Sequence, residues 1–116
     1  MRRKHIPFWW PCLLVALLFS CKTAKLSDAE EKQRIGEYYE AAAIYRKVYT
    51  KTSPKKRDLR GYIAFRMGEC NRMINSTAKA TSAYMNAIRY DYPDSIVYLR
   101  LAQTLHQSGK YAEAIK

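Results

Sequence analysis

Histidine, cysteine and glycine are scarce in this chain, and each scarcity removes a class of chemistry. Its two histidines are His5 and His106, which form no Cys/His cluster at metal-ligand spacing and stand beside no nucleophile spaced for a dyad. Neither a metal centre nor nucleophilic catalysis is therefore expected, nor any cofactor or enzyme activity. The 4 glycines never group into a loop able to cradle phosphate. With only 4 prolines as well, and 48% apolar residues, the composition suits one small helical domain rather than a disordered segment. Acidic residues number 10 against 21 lysines and arginines, a net charge of +11. No apolar run reaches the roughly 20 residues that span a bilayer.

What the chain does have is a helical-hairpin pattern that recurs. Gly36, Asn75 and Gly109 stand at its corners, and Ala41, Ala80 and Ala114 each lie five residues beyond. Ala41, Tyr45, Val48 and Pro54 map onto Ala80, Tyr84, Ala87 and Pro93 at a spacing of 39, whereas Asn75 and Ala80 map onto Gly109 and Ala114 at 34. Such a unit cannot bury its apolar face alone and must stack on copies of itself, which predicts an all-α solenoid.

The copy containing Tyr98, Leu101-Ala102, Leu105, Gly109-Lys110-Tyr111 and Ala114 resembles the tetratricopeptide repeat (TPR) family. That family's pattern is a large aromatic, a Leu-small pair, an apolar residue one turn later, a Gly-x-Tyr corner and a small residue opening the second helix. The preceding copy carries Met67-Gly68, Ala80, Tyr84 and Ala87; the first keeps Gly36-Glu37-Tyr38, Ala41, Tyr45 and Val48. The resemblance implies a TPR domain over 27–116, with repeats at about 27–54, 55–93 and an incomplete 94–116. Since the third unit stops six residues into its second helix, the chain reads as part of a longer protein.

Packing at helical spacing accounts for these residue types. Ala41, Ile44, Tyr45 and Val48 fall at i, i+3, i+4 and i+7, as do Tyr98, Leu101, Ala102 and Leu105, and each set is predicted to form one apolar stripe, the third unit's being left without its partner. Small residues at Gly68, Ala80, Ala87 and Ala102 are expected to let neighbouring helices approach closely. Helix starts are predicted at a Ser27–Glu30 capping box, at Ser53-Pro54, and at Asp94 or Ser95. The five extra residues between the first two copies are placed in a lengthened helix from about Pro54 to Ile74, where Gly61 costs roughly 1 kcal/mol relative to alanine.

The amino terminus carries a second signal. Arg2, Arg3 and Lys4 precede a largely apolar stretch from Ile6 to Phe19, interrupted by Pro7 and Pro11 and closed by Leu18-Phe19-Ser20-Cys21. This is the layout of a secretory signal peptide over 1–20. Its close resembles the bacterial lipobox, which implies that Cys21 becomes the first mature residue and carries acyl chains, with 21–26 as a linker. Acyl chains contribute about 0.8 kcal/mol per buried methylene, so several would hold the protein at a membrane. Cys12 leaves with the signal, and Cys70 is left alone in a helix as a small packing residue.

Removal of Arg2, Arg3 and Lys4 leaves 18 basic residues against 10 acidic. A patch of Lys55, Lys56, Arg57 and Arg60 is one way to bind phosphates, yet an exported lipoprotein rarely meets nucleic acid, and acidic envelope partners or an anionic lipid surface fit better. In TPR arrays the concave face is lined by fixed positions of each first helix. Arg66 and Arg100 share one such position, Phe65 aligns with Leu99, Glu69 with Gln103 and Arg72 with His106. Arginine forks suit carboxylates, so this face is predicted to hold an acidic or carboxyl-terminal segment of a protein partner.

Together the lipobox, Gly36-Glu37-Tyr38-Tyr39, Met67-Gly68-Glu69-Cys70-Asn71-Arg72 and Tyr92-Pro93-Asp94 resemble the N-terminal TPR region of OmpA-family envelope lipoproteins of Bacteroidetes, the PorE-type components of type IX secretion. That resemblance implies an outer-membrane lipoprotein facing the periplasm and acting as a non-enzymatic assembly scaffold. The alternative is a nutrient-uptake or substrate-binding lipoprotein with a helical-repeat groove. So few short repeats offer an open groove rather than an enclosing pocket, which favours the scaffold.

Overall fold

Left-handed backbone at single residues is what folds this chain back on itself. In the computed structural model, which describes residues 23–109, five helices run in order: α1 (Leu26–Arg34), α2 (Tyr38–Lys51), α3 (Arg57–Met73), α4 (Thr77–Arg89) and α5 (Ile96–Gln107). No strand occurs among the described residues, so the fold is all-α. The signal peptide, Cys21 and the positions Tyr111 and Ala114 lie outside the described residues.

Gly36, Asn75 and Gly109 have φ values of 87°, 62° and 78°, as their corner assignment requires. At Gly36, Glu37 N–H donates to Lys32 O at 2.9 Å and Gly36 N–H to Gln33 O at 3.1 Å; Ser76 and Asn75 repeat this on Asn71 O and Arg72 O at 2.8 and 3.1 Å. These paired bonds satisfy carbonyls that the helix end leaves open. A further corner has no glycine: Asp91, at φ 59°, ends α4, with Tyr92 N–H on Ala87 O at 3.0 Å and Asp91 N–H on Ile88 O at 2.9 Å.

Two of the expected helix starts move. Lys25, not Ser27, precedes α1 and makes no side-chain cap. Ser53 closes a turn instead of opening a helix: its Oγ accepts from Lys55 N–H at 3.2 Å, Lys56 N–H reaches Ser53 O at 3.0 Å, and α3 begins only at Arg57. Pro54, with φ fixed near −65°, suits the second position of that turn. Asp94 does act as expected, accepting from Ile96 N–H at 3.0 Å. The five extra residues fall where predicted, inside α3, which has 17 residues against 12 in α5.

Successive helices pack against each other and divide the interior into two clusters. The first joins Ala29 of α1, Ala41, Ala42 and Tyr45 of α2, and Ile63 and Cys70 of α3. The second joins Ala64 and Phe65 of α3, Ala80, Tyr84 and Ala87 of α4, and Val97 of α5. Helix α3 is thus buried on two sides. Burial pushes the Cys70 thiol up to about 12, consistent with a packing role.

The Ala41, Ile44, Tyr45, Val48 stripe packs into the first cluster as predicted. The α5 stripe, expected to lack its partner, is largely open among the described residues. Tyr98 is 60% exposed and Ala102 is exposed, whereas Val97 and Thr104 are buried and Leu101 packs beside them. The buried face is therefore Val97, Leu101 and Thr104, at i, i+4 and i+7. Thr104 is held there by Thr81, whose hydroxyl lies 3.1 Å away on α4, and donates to Leu101 O at 2.9 Å.

Glycine sets the closest approach of α3 to α4. A Cβ on Gly68 would lie 2.7 Å from Tyr84 Cε1 and 2.8 Å from Cδ1, nearer than side-chain carbons tolerate. Gly61 also has a packing reason for its identity, since a Cβ there would meet Tyr90 O at 3.3 Å. Gly68→Ala gains roughly 1 kcal/mol of helix propensity but overpacks a fully buried ring, a cost of about 1–3 kcal/mol. The expected outcome is a net loss of stability in urea or thermal denaturation; a melting temperature equal to or above that of the parent would contradict the close approach.

Candidate functional site

The odd-numbered helices α1, α3 and α5 are the first helices of successive hairpins, and side chains from all three meet along one face. Glu30 of α1 accepts from Tyr62 Oη of α3 at 2.6 Å, and Arg66 of α3 lies 5.8 Å from the Tyr62 ring centroid. Burial raises the Tyr62 phenol to about 12, and its bond to Glu30 adds to the shift. Arg66 Nε also donates to Tyr45 Oη at 3.4 Å, while Tyr45 donates onward to Gln33 Oε1 at 2.7 Å. A polar chain thus links α1, α2 and α3.

Glu69 is the centre of a second, tighter set. Its carboxylate accepts from Tyr84 Oη, from Arg72 Nη2 at 3.2 Å and from Arg100 Nε at 3.0 Å, so α3, α4 and α5 converge on one acid. Arg100 Nη1 continues to Gln103 Oε1 at 3.2 Å. Only 16% of the Glu69 side chain is exposed. Such burial by itself raises a carboxyl, but the bonds from Tyr84 and Arg72 and the charges of Arg72 and Arg100 outweigh it and hold Glu69 below the usual glutamate range. Tyr84, fully buried and donating to that acid, is pushed well above an ordinary phenol.

The eight residues anticipated for a partner-binding face separate into four groups. Glu69, Arg72, Arg100 and Gln103 form the single network just described. Arg66 stands apart from it, bound to Tyr45 through Nε, with no protein partner for its terminal nitrogens among the described residues. Leu99 is 51% exposed and His106 is exposed on the last turn of α5. Phe65 is not on the surface: it is 8% exposed and stacks on Tyr92, with centroids 4.5 Å apart and planes at 11°, while touching Tyr84 at 5.9 Å. Leu99, its aligned position on α5, has no counterpart of the Tyr92 contact among the described residues.

Sequence reasoning did not anticipate Tyr45, Tyr62 or Tyr84 as members of this face. Tyr45 and Tyr84 stand in the repeat pattern as packing residues, and Tyr62 lies outside it. A tyrosine on a buried stripe needs a partner for its hydroxyl, and a glutamate or arginine one turn away on the adjoining helix is the signal that could have found them.

Elsewhere, two surface depressions of about 360 and 430 Å³ each include two lysines, the first lined by Thr23, Ala24, Asp28, Ile44, Lys47 and Lys51, the second by residues 55–59. Among the described residues no group of His, Cys, Asp and Glu could hold a metal ion, and no helix is long and apolar enough to cross a membrane. Comparison with protein-family models, curated proteins and solved structures gives no match.

The Glu69 network has a signed pH dependence. Its folded-state pKa is depressed, so the stability it contributes is present above the unfolded value of about 4.3 and is lost as pH falls through the folded one. Acid titration followed by circular dichroism should therefore show the parent losing stability below about pH 4, and Glu69→Gln losing less over the same interval. The same variant should be weaker by about 1–3 kcal/mol at neutral pH, since two arginines lose their counter-charge. Identical acid profiles for the two chains would exclude this role.

Proposed function

We propose that the chain is a TPR-type adaptor, held in the bacterial envelope by lipid on Cys21 and acting by binding a protein rather than by catalysis. The observation that carries this reading is the repetition itself. Helices pair about left-handed corners, small residues admit a neighbouring ring, and the departure from a 34-residue period is absorbed as extra length within α3. A stack of this kind presents its first helices as one continuous surface.

On that surface Arg66 is the residue best suited to an acidic or carboxyl-terminal segment. Its Nε is used internally, which fixes the guanidinium, and its terminal nitrogens form the fork that matches a carboxylate. Arg100 is different in kind: its ion pair with Glu69 commits it to joining α3 and α5. Exposed Leu99 and Met73 supply apolar area on the same pair of first helices. The further reading, an outer-membrane scaffold of secretion or wall-linked machinery, rests on the lipobox and the motif resemblance.

Capture from detergent-solubilised envelope with the full chain tests both parts. Arg66→Glu is expected to weaken partner recovery at least tenfold while leaving the melting temperature within a few degrees of the parent. Arg100→Glu should weaken recovery only together with a loss of stability, because it places two carboxylates side by side. Unchanged recovery with Arg66→Glu rejects the arginine-fork reading; recovery of cytosolic proteins alone rejects the envelope adaptor.

A further inference from the structure

Charge is distributed unevenly between the two ends of the helical stack. Antiparallel helices bring the start of α1, the α2–α3 turn and the α4–α5 loop to one end, and that end carries the exposed Lys25, Lys47, Lys51, Lys55 and Lys56. Lys47 and Lys51 lie one turn apart on α2 and line one depression; Lys55 and Lys56 line the other. None of these four has an ion pair among the described residues. The acidic groups lining the depressions are Asp28 in the first and Asp58 in the second; Asp91, paired with Arg57, and Asp94 of the α4–α5 loop share this end, and together the four acids are fewer than its five lysines. At the opposite end, Lys32 pairs with Glu37 at 2.6 Å and Arg34 with Glu31.

The neighbouring arginines are used inside the protein. Arg57 donates to Arg89 O at 2.7 Å and to Asp91 Oδ2 at 2.9 Å, with its guanidinium 5.3 Å from the Tyr90 ring. Arg60 lies 4.0 Å from the Tyr49 ring and donates to Thr52 O at 2.7 Å. These contacts brace the turn that carries Lys55 and Lys56. They also place guanidinium groups over the Tyr49 and Tyr90 rings, where unpaired bases would otherwise stack.

The chain enters at the same end. Thr23 and Ala24 line the depression that Lys47 and Lys51 line, and Cys21 precedes Thr23 by two residues, which span at most about 7 Å. We propose that the end bearing Lys47, Lys51, Lys55 and Lys56 lies flat against an anionic phospholipid surface, which orients the stack end-on to the membrane that its anchor selects. This rests on Cys21 being the anchor. Electrostatic attraction to such a surface extends about 8 Å at physiological salt, so the tether keeps the lysines within its range. Each lysine near an anionic leaflet is worth roughly a fivefold gain in partitioning. Acyl chains and a basic patch together make the two-signal attachment that holds firmly where one chain alone exchanges.

Flotation of the full chain bearing Cys21→Ser, with phosphatidylcholine vesicles containing or lacking phosphatidylglycerol, tests the patch apart from the lipid. The expected result is salt-sensitive binding to the anionic vesicles. It should fall at least tenfold when Lys47, Lys51, Lys55 and Lys56 are together replaced by glutamine, and stay unchanged in Lys79→Gln on α4. Both chains carry the same first 22 residues, so their ratio reads the lysines. Circular dichroism confirms that both are folded. Equal flotation of parent and quadruple variant overturns the proposal, as does tighter retention on single-stranded RNA than on anionic vesicles at the same salt. Mass spectrometry of Cys21 in the envelope-extracted parent reads the anchor separately: an unmodified thiol ends the anchor reading and, with it, the end-on orientation.

Discussion

Everything above α2 in this stack depends on the absence of one methyl group. Gly68 lets the Tyr84 ring lie directly on the α3 backbone, and the ring then threads between helices until its hydroxyl reaches Glu69. From Glu69 the connection passes to Arg72 and Arg100, which ties α5 to the same point. Apolar contact and polar network are therefore one arrangement. The ring is buried because the glycine is bare, and the acid is satisfied because the ring arrives. A side chain at position 68 would displace both.

How much of this could be read from residues alone differs by feature. Gly36, Asn75 and Gly109 were legible as corners because glycine and asparagine adopt positive φ cheaply. Asp91 was not, since aspartate does so less often and sits here between two tyrosines with no glycine nearby. Ser27 and Ser53 looked like caps because serine before an acidic or proline-started segment usually is one, yet Ser53 found a closer donor in Lys55 N–H. The lengthened α3 was legible because an insertion that must keep two flanking contacts in register has few places to go.

The face of α5 illustrates a different limit. Tyr98, Leu101, Ala102 and Leu105 and the observed Val97, Leu101 and Thr104 are both valid helical stripes, rotated by about one residue and sharing Leu101. Periodicity cannot choose between them when a tyrosine counts as apolar and a threonine as polar. Among the described residues the packed face is the second, where Thr104 places its hydroxyl beside Thr81 and on its own helix carbonyl. Aligned positions need not be equivalent: Tyr92 covers Phe65, and nothing of the kind covers Leu99 among the described residues.

Helix α3 belongs to both hydrophobic clusters, offering Ile63 and Cys70 to one side and Ala64 and Phe65 to the other. A rod with two greasy sides cannot be shared out between independent folding units. Neither hairpin retains a closed interior once its neighbour melts, so loosening at one end must be felt at the other through α3 itself. The described helices are in this sense coupled through α3, on which both interiors depend.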